Sequence, residues 1–249
     1  MRHHRSGLLR SFLFVFCCAS VGASAAELVV NGSFEANGGV NTNTFTGWTE
    51  ADQSGGSGSI FVQTGTTAPS LNPITVPAPP LGSFAAMSSQ TGPGSHLLYQ
   101  NITIPAGFSA KFFAKVYVNN QAGAFSTPAS LDYTVSPNQQ ARIDIMSTSS
   151  STTDVGAGVL LNVYRTQVGD PTVSGYNTIT ADLTPYAGQT VRLRIAEVDN
   201  QSFFQFGVDG VSVISGSPIP TLSDWALIGL GIAVLAIGFV AVRRQMRPV

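Results

Sequence analysis

Cysteine is nearly missing from this chain. Its only two, Cys17 and Cys18, lie in the first eighteen of 249 residues. The remaining sequence therefore has no disulfide framework and no thiolate metal site. Histidine is as scarce: beyond His3 and His4 there is only His96. A histidine-based zinc site fails for want of ligands. Charged residues make up 10% of the chain, and lysine and glutamate are few. Between Glu27 and Pro218 no apolar pattern repeats at helical spacing, which argues against long amphipathic helices. That stretch holds six basic residues against twelve acidic ones. A surplus of negative charge makes nucleic acid a poor partner. Its stability has to come from a packed core, for which about 190 residues suffice.

What is present begins with the two ends. Arg2, His3, His4, Arg5 and Arg10 form a basic start, and an apolar run from Phe12 to Ala19 follows. Ala23-Ser24-Ala25-Ala26 then offers small residues to a signal peptidase. This order reads as a secretory signal peptide over 1–26, and the apolar run is too short to anchor the chain in a bilayer. Phe16 stands before Cys17, where lipidation would need a small residue. At the other end, Trp225 to Val242 has neither charge nor amide side chain, and Arg243, Arg244 and Arg247 come after it. Eighteen helical residues reach roughly 27 Å, so the run predicts a transmembrane helix at about 225–242. The arginines predict a cytoplasmic basic end at 243–249, with the body of the protein outside.

Between the ends, glycine, serine, threonine, valine and phenylalanine favour short strands joined by turns. Glu27 to Val30 reads as a strand ended by Asn31-Gly32, with Phe34 and Trp48 as core aromatics. Thr66 to Gly82 carries five prolines and reads as an extended loop. Alternation is clearest in Leu97–Ile104, Ala110–Val118, Ala141–Met146 and Val191–Val198. In the last of these, Val191, Leu193 and Ile195 share one face, and Arg192 and Arg194 the other. Val159–Tyr164, Tyr176–Leu183 and Phe206–Ile214 complete the set. Ser147 to Thr153 reads as a solvated hairpin loop. The pattern predicts an all-β, antiparallel two-sheet sandwich over 27–214, with 215–218 as a flexible linker.

Three blocks resemble galactose-binding-like jelly rolls, which occur in many secreted bacterial proteins and carbohydrate-binding modules. They are Leu28 to Glu35 with Gly47-Trp48, then Asp182 to Arg194, then Phe206 to Val213. The resemblance implies a jelly-roll β-sandwich. It also implies a structural Ca²⁺ between the first and last strands, with Glu35 and Asp209 at the matching positions. The tail is similar to the IPTL-CTERM sorting signal of Gram-negative bacteria. Ile219, Pro220, Thr221, Leu222, Ser223, Asp224 and Trp225 match it, although Ala226 stands where that signal usually has glycine. This second resemblance implies recognition of the 219–249 tail by an exosortase-type enzyme, cleavage near the motif, and transfer from the inner membrane to the cell surface or its matrix.

Catalytic signatures are weak. His96 sits in Gly92-Pro93-Gly94-Ser95-His96 and reads as an exposed loop histidine, with no nucleophile elbow nearby. Glu35, Glu50, Asp52, Glu197 and Asp199 could supply a glycosidase pair, and Glu197 and Asp199 share one side of a strand by spacing. Carboxylates at strand ends are ordinarily solvated. Trp48, Tyr99, Tyr117, Phe203 and Phe204 are candidates for an aromatic sugar platform. The sequence thus points to a non-enzymatic, exported surface or matrix protein with a binding or structural role in extracellular polysaccharide. The rival is a secreted carbohydrate-active hydrolase.

Overall fold

The computed structural model describes residues 25–69, 71–218 and 222–245, with side chains at 25–69, 71–216, 227–239 and 243. The expected signal peptide lies almost wholly outside these residues. In chain order the strands are β1 (Ala26–Glu27), β2 (Thr49–Asp52), β3 (Ser59–Gln63), β4 (Ala85–Ser89), β5 (Gly94–Thr103) and β6 (Phe108–Asn120). They continue with β7 (Gln139–Ser147), β8 (Val159–Arg165), β9 (Val173–Asp182), β10 (Thr190–Asp199) and β11 (Phe204–Pro218), and helix α1 (Leu222–Gln245) follows.

The strands form two antiparallel sheets, so the jelly-roll sandwich read from the sequence is the fold. One sheet runs β3-β4-β11-β6-β9, with β1 added to β11, and the other runs β2-β5-β10-β7-β8. Alternating side chains from both inner faces fill the space between them. Leu98, Ile102, Ile143, Ile145, Leu193 and Ile195 come from one sheet, and Phe112, Val116, Phe206 and Val213 from the other. Phe34 plugs one end of this core. It meets Phe45 edge-to-face and Trp48 at a tilt, each with its ring centre 5.4 Å away. Phe34 and Asn31 both hold left-handed backbone angles, at φ 57° and 52°. Such angles are uncommon for these residues and mark a tight, packed turn.

Three local expectations need correction. β1 covers only two residues, because the Val213 amide of β11 donates to the Glu27 carboxylate at 2.9 Å in place of the next ladder bond. Residues 215–218 are not a free spacer: Ser215 pairs with Ala110 and Pro218 with Phe108, so β11 carries on through them. The third concerns the tail. Among the described residues no helix is long and apolar enough to cross a membrane. The spanning helix expected at 225–242 is thus not met there, and its two ends lie outside the described side chains.

Candidate functional site

The inner face of the β2-β5-β10-β7-β8 sheet changes character at one end. Along β10 the inward positions read Val191, Leu193, Ile195, then Glu197 and Asp199. Along β5 they read Ile102, Gln100, Leu98, then His96 and Gly94. Strand register places Asp52 of β2 opposite His96, and His96 opposite Glu197. Gly94 faces Asp199 in the next inward position. Three neighbouring strands therefore put a carboxylate, an imidazole and a carboxylate in one row, with a further carboxylate beside it.

This cluster is buried. His96 is 1% exposed, Glu197 0% and Asp199 2%. His96 is thus not the exposed loop residue expected from its glycine-rich approach, nor are Glu197 and Asp199 solvated. The loop ends at Gly94, and pairing with β2 and β10 draws His96 inside. His96 Nδ1 meets Asp52 Oδ1 at 2.7 Å. Its Nε2, both oxygens of Glu197 and Oδ1 of Asp199 have no hydrogen-bond partner. One donor atom from each of His96, Glu197 and Asp199 lies within 4.8 Å of the others. Gly94 makes room for this arrangement: a Cβ there would stand 2.5 Å from His96 Nε2 and 2.6 Å from the Ser57 carbonyl.

The electrostatics follow from burial. Loss of solvent, together with the charges of Asp199 and Asp52, holds Glu197 well above the usual carboxylate range. Burial pushes Asp199 up to about 7, with hydrogen bonds offsetting part of the effect. Glu50 is also pushed up to about 7, by burial and by neighbouring Asp52. Asp52 differs: burial raises it, but hydrogen bonds from His96 and Glu50 bring it below its ordinary value. Asp199 links the cluster to the surface. With Gly92, Pro93, Asn200, Gln201, Ser202 and Phe203 it lines an open cleft of about 160 Å³.

Of the candidate sugar platforms, Phe204 is 0% exposed, Tyr117 2% and Trp48 9%, so all three serve the core. Tyr99 is covered by the Arg192 guanidinium, 5.2 Å from the ring centre. Phe203 remains, exposed at the cleft.

The outer face of the same sheet carries a second buried polar assembly. Arg192 and Arg194 do point away from the aliphatic core, but loop 147–158 folds back over them. Arg192 donates to the carbonyls of Thr148 and Ser150 at 2.9 and 2.8 Å. Arg194 donates to the carbonyls of Thr152 and Asp154 and to the Asp144 carboxylate. The serine-threonine run is thus a lid on two arginines, not a solvated hairpin tip. The Nη groups of both arginines and the Asp144 carboxylate are matched, although Nε of Arg192 and of Arg194 has no partner, and the arrangement holds structure together rather than offering a site.

Glu35 and Asp209 converge on one loop. Glu35 Oε1 accepts the amides of Ser83 and Phe84, each at 2.9 Å. Asp209 Oδ2 accepts the Leu81 amide at 2.9 Å, and its Oδ1 that of Gly210 at 2.6 Å. Burial pushes Asp209 up to about 7, and the Glu35 charge adds to the rise. Both carboxylates thus spend oxygens on backbone amides of residues 81–84 and 210. Their bonds to residues 81–84 already tie the chain's first and last blocks together. Of the tail motif, 219–221 lie outside the described residues, and the side chains of 222–225 are likewise not described. Arg243 is exposed, and Arg244 and Arg247 lie outside the described side chains.

A family model described as the IPTL-CTERM motif matches residues 217–244. The chain thus carries the sorting signal of an exported surface protein. No curated protein matches the chain. Solved structures resemble it at low identity. The K3 cleaved adhesin domain of Lys-gingipain from Porphyromonas gingivalis is 15% identical, covers 78% of this chain and 100% of its own, and has a TM-score of 0.49. A Stig cyclase from Fischerella sp. is 16% identical over 78% of this chain and 100% of its own, with a TM-score of 0.44. The module TmCBM61, solved with β-1,4-galactotriose, is 11% identical over 76% of this chain and 97% of its own, with a TM-score of 0.42.

Proposed function

We propose that an exosortase-type enzyme recognises the tail at Ile219–Trp225, cleaves it there and delivers the sandwich to the cell surface or its matrix. There the domain works as a non-enzymatic binding or structural module in extracellular polysaccharide. One observation carries this reading. The motif match begins at 217, and the last sandwich strand ends at Pro218. A folded cargo and its address therefore meet end to end, and cleavage within the motif leaves every strand intact. The sorting step rests on the motif and not on a membrane span.

The cleft at Phe203 is the part of the surface best suited to a saccharide. It offers one exposed aromatic face beside the amide side chains of Asn200 and Gln201. Apolar stacking with a few convergent polar groups is how small polar ligands are oriented. A structural Ca²⁺ against Glu35 and Asp209 belongs to the same reading. On a glycan array the protein is expected to retain acidic or neutral polysaccharides without turning them over. Phe203→Ala is expected to weaken retention by about tenfold, the loss of one good contact of about 1.4 kcal/mol. EGTA is expected to lower the melting temperature, an effect absent in Glu35→Ala and Asp209→Ala. A blank array would leave a purely structural role, and sugar release abolished by Glu197→Gln or Asp199→Asn would establish the hydrolase instead. Against that hydrolase stands the closure of Glu197 inside the sandwich, where no polysaccharide chain reaches it.

A further inference from the structure

We infer that His96, Glu197 and Asp199 bind one first-row divalent transition-metal ion, of the Zn²⁺ type, between strands β5 and β10. The inference is independent of any carbohydrate ligand and of Ca²⁺ at Glu35 and Asp209.

Four observations carry it. First, the donor atoms of the three residues already lie within 4.8 Å of one another. Side-chain rotation of a few tenths of an ångström to about 1 Å closes them around an ion with ligand bonds of about 2.0–2.2 Å. Second, these atoms are orphans. His96 Nε2 and both Glu197 oxygens are buried and have no hydrogen-bond partner. A buried carboxylate with neither oxygen satisfied is costly unless a proton or a cation joins it. Third, Asp52 holds His96 from behind. Its carboxylate at 2.7 Å accepts the Nδ1–H hydrogen bond, which fixes the tautomer and leaves the Nε2 lone pair facing Glu197 and Asp199. A carboxylate–histidine pair of this kind orients and strengthens an imidazole ligand. Fourth, there is an entry path, since Asp199 also lines the open cleft at Phe203.

The donor set selects the ion. One imidazole nitrogen and two carboxylates suit Zn²⁺, Co²⁺ or Mn²⁺, whereas Ca²⁺ prefers an all-oxygen shell. The alternative is a proton in place of the metal: Glu197 stays neutral and donates to His96 Nε2.

The test uses the full-length chain with His3 and His4 changed to Ala, which leaves His96 as its only histidine. Co²⁺ is titrated in and followed by visible absorption, and Zn²⁺ by calorimetry. One ion per chain is expected, with d–d bands that Zn²⁺ displaces and excess Ca²⁺ does not. His96→Ala and Glu197→Gln are expected to abolish the bands. Asp52→Asn is expected to weaken binding about 10–100-fold while leaving one ion per chain, the mark of a positioning residue. Glu197→Gln should keep or raise the melting temperature of the metal-free protein, because it replaces a buried ionisable group by a neutral side chain of the same shape, so its loss of binding cannot be blamed on misfolding. The inference is overturned if wild-type protein shows no stoichiometric Co²⁺ or Zn²⁺ binding. It is also overturned if the bands survive His96→Ala, or if Ca²⁺ competes them away.

Discussion

Replacing Asp144 with alanine is expected to destabilise the sandwich by about 3–5 kcal/mol, the usual cost of stranding a buried charge. Asp144 is 0% exposed and serves as the hub of the outer-face assembly. Arg142 Nε and Nη2 donate to its two oxygens at 2.7 and 3.0 Å, and Asn162 donates at 2.7 Å. Arg194, itself 0% exposed, donates as well. Without the carboxylate, two guanidiniums remain on neighbouring strands with nothing negative between them. Desolvation already lowers the basicity of Arg194, and the Asp144 charge works against that loss. Asp144→Asn is expected to cost nearly as much, because it keeps the shape and removes the charge. Lys115→Ala, on a half-buried side chain whose ammonium donates to Thr178, should stay within ~0.5 kcal/mol. Urea unfolding of the three variants measures these differences. An Asp144→Ala loss below 1 kcal/mol would mean that water enters the cradle freely.

Gly32→Ala is the second large effect. A Cβ at Gly32 would sit 1.7 Å from the Val211 carbonyl oxygen and 2.7 Å from its carbon. Nothing flexible is in the way that could move aside. The two segments are also held together, since the Val211 amide donates to the Gly32 carbonyl at 2.8 Å. Inserting a methyl group there forces the turn after β1 away from β11. The expected cost is at or above the ~1–3 kcal/mol typical of overpacking. Gly175→Ala is the control: no atom lies within 4 Å of its Cβ position, and it is exposed on edge strand β9. That substitution should be neutral or slightly stabilising, since alanine is less costly than glycine to order in a strand. Thermal melts of both variants decide the matter, and a Gly32→Ala protein as stable as Gly175→Ala would contradict the close approach.

The Gly32 contact also explains what the sequence could and could not reveal. The blocks around Asn31-Gly32 and Asp209-Gly210 resemble one family at opposite ends of the chain. The structure gives the reason: one block's backbone lies against the other's. Period-2 alternation located β5, β6, β7 and β10 because one face of each is aliphatic, a local signal. Failures arose where local pattern meets long-range packing. Arg192 and Arg194 alternate outward as read, yet a loop from 147–158 buries them, and nothing in their own strand announces that cover. His96 continues the inward series Ile102, Gln100, Leu98, and Glu197 continues Ile195. Both series were legible, but polar residues at strand ends are ordinarily solvated, and only cross-strand register shows that three such ends coincide. Residues 215–218 look like a spacer by composition, and pairing with β6 overrides it. The pairing of Glu35 with Asp209 came from resemblance alone. The structure adds that both grip loop 81–84.

The proposed role turns on the tail being an address that is removed. The most direct measurement is the intact mass of the protein recovered from the cell surface. The mass is expected to fit a chain that begins near residue 26 or 27 and ends at or before Trp225, with 226–249 gone and β11 complete. Recovery at steady state of a surface protein still carrying Val249 would contradict it.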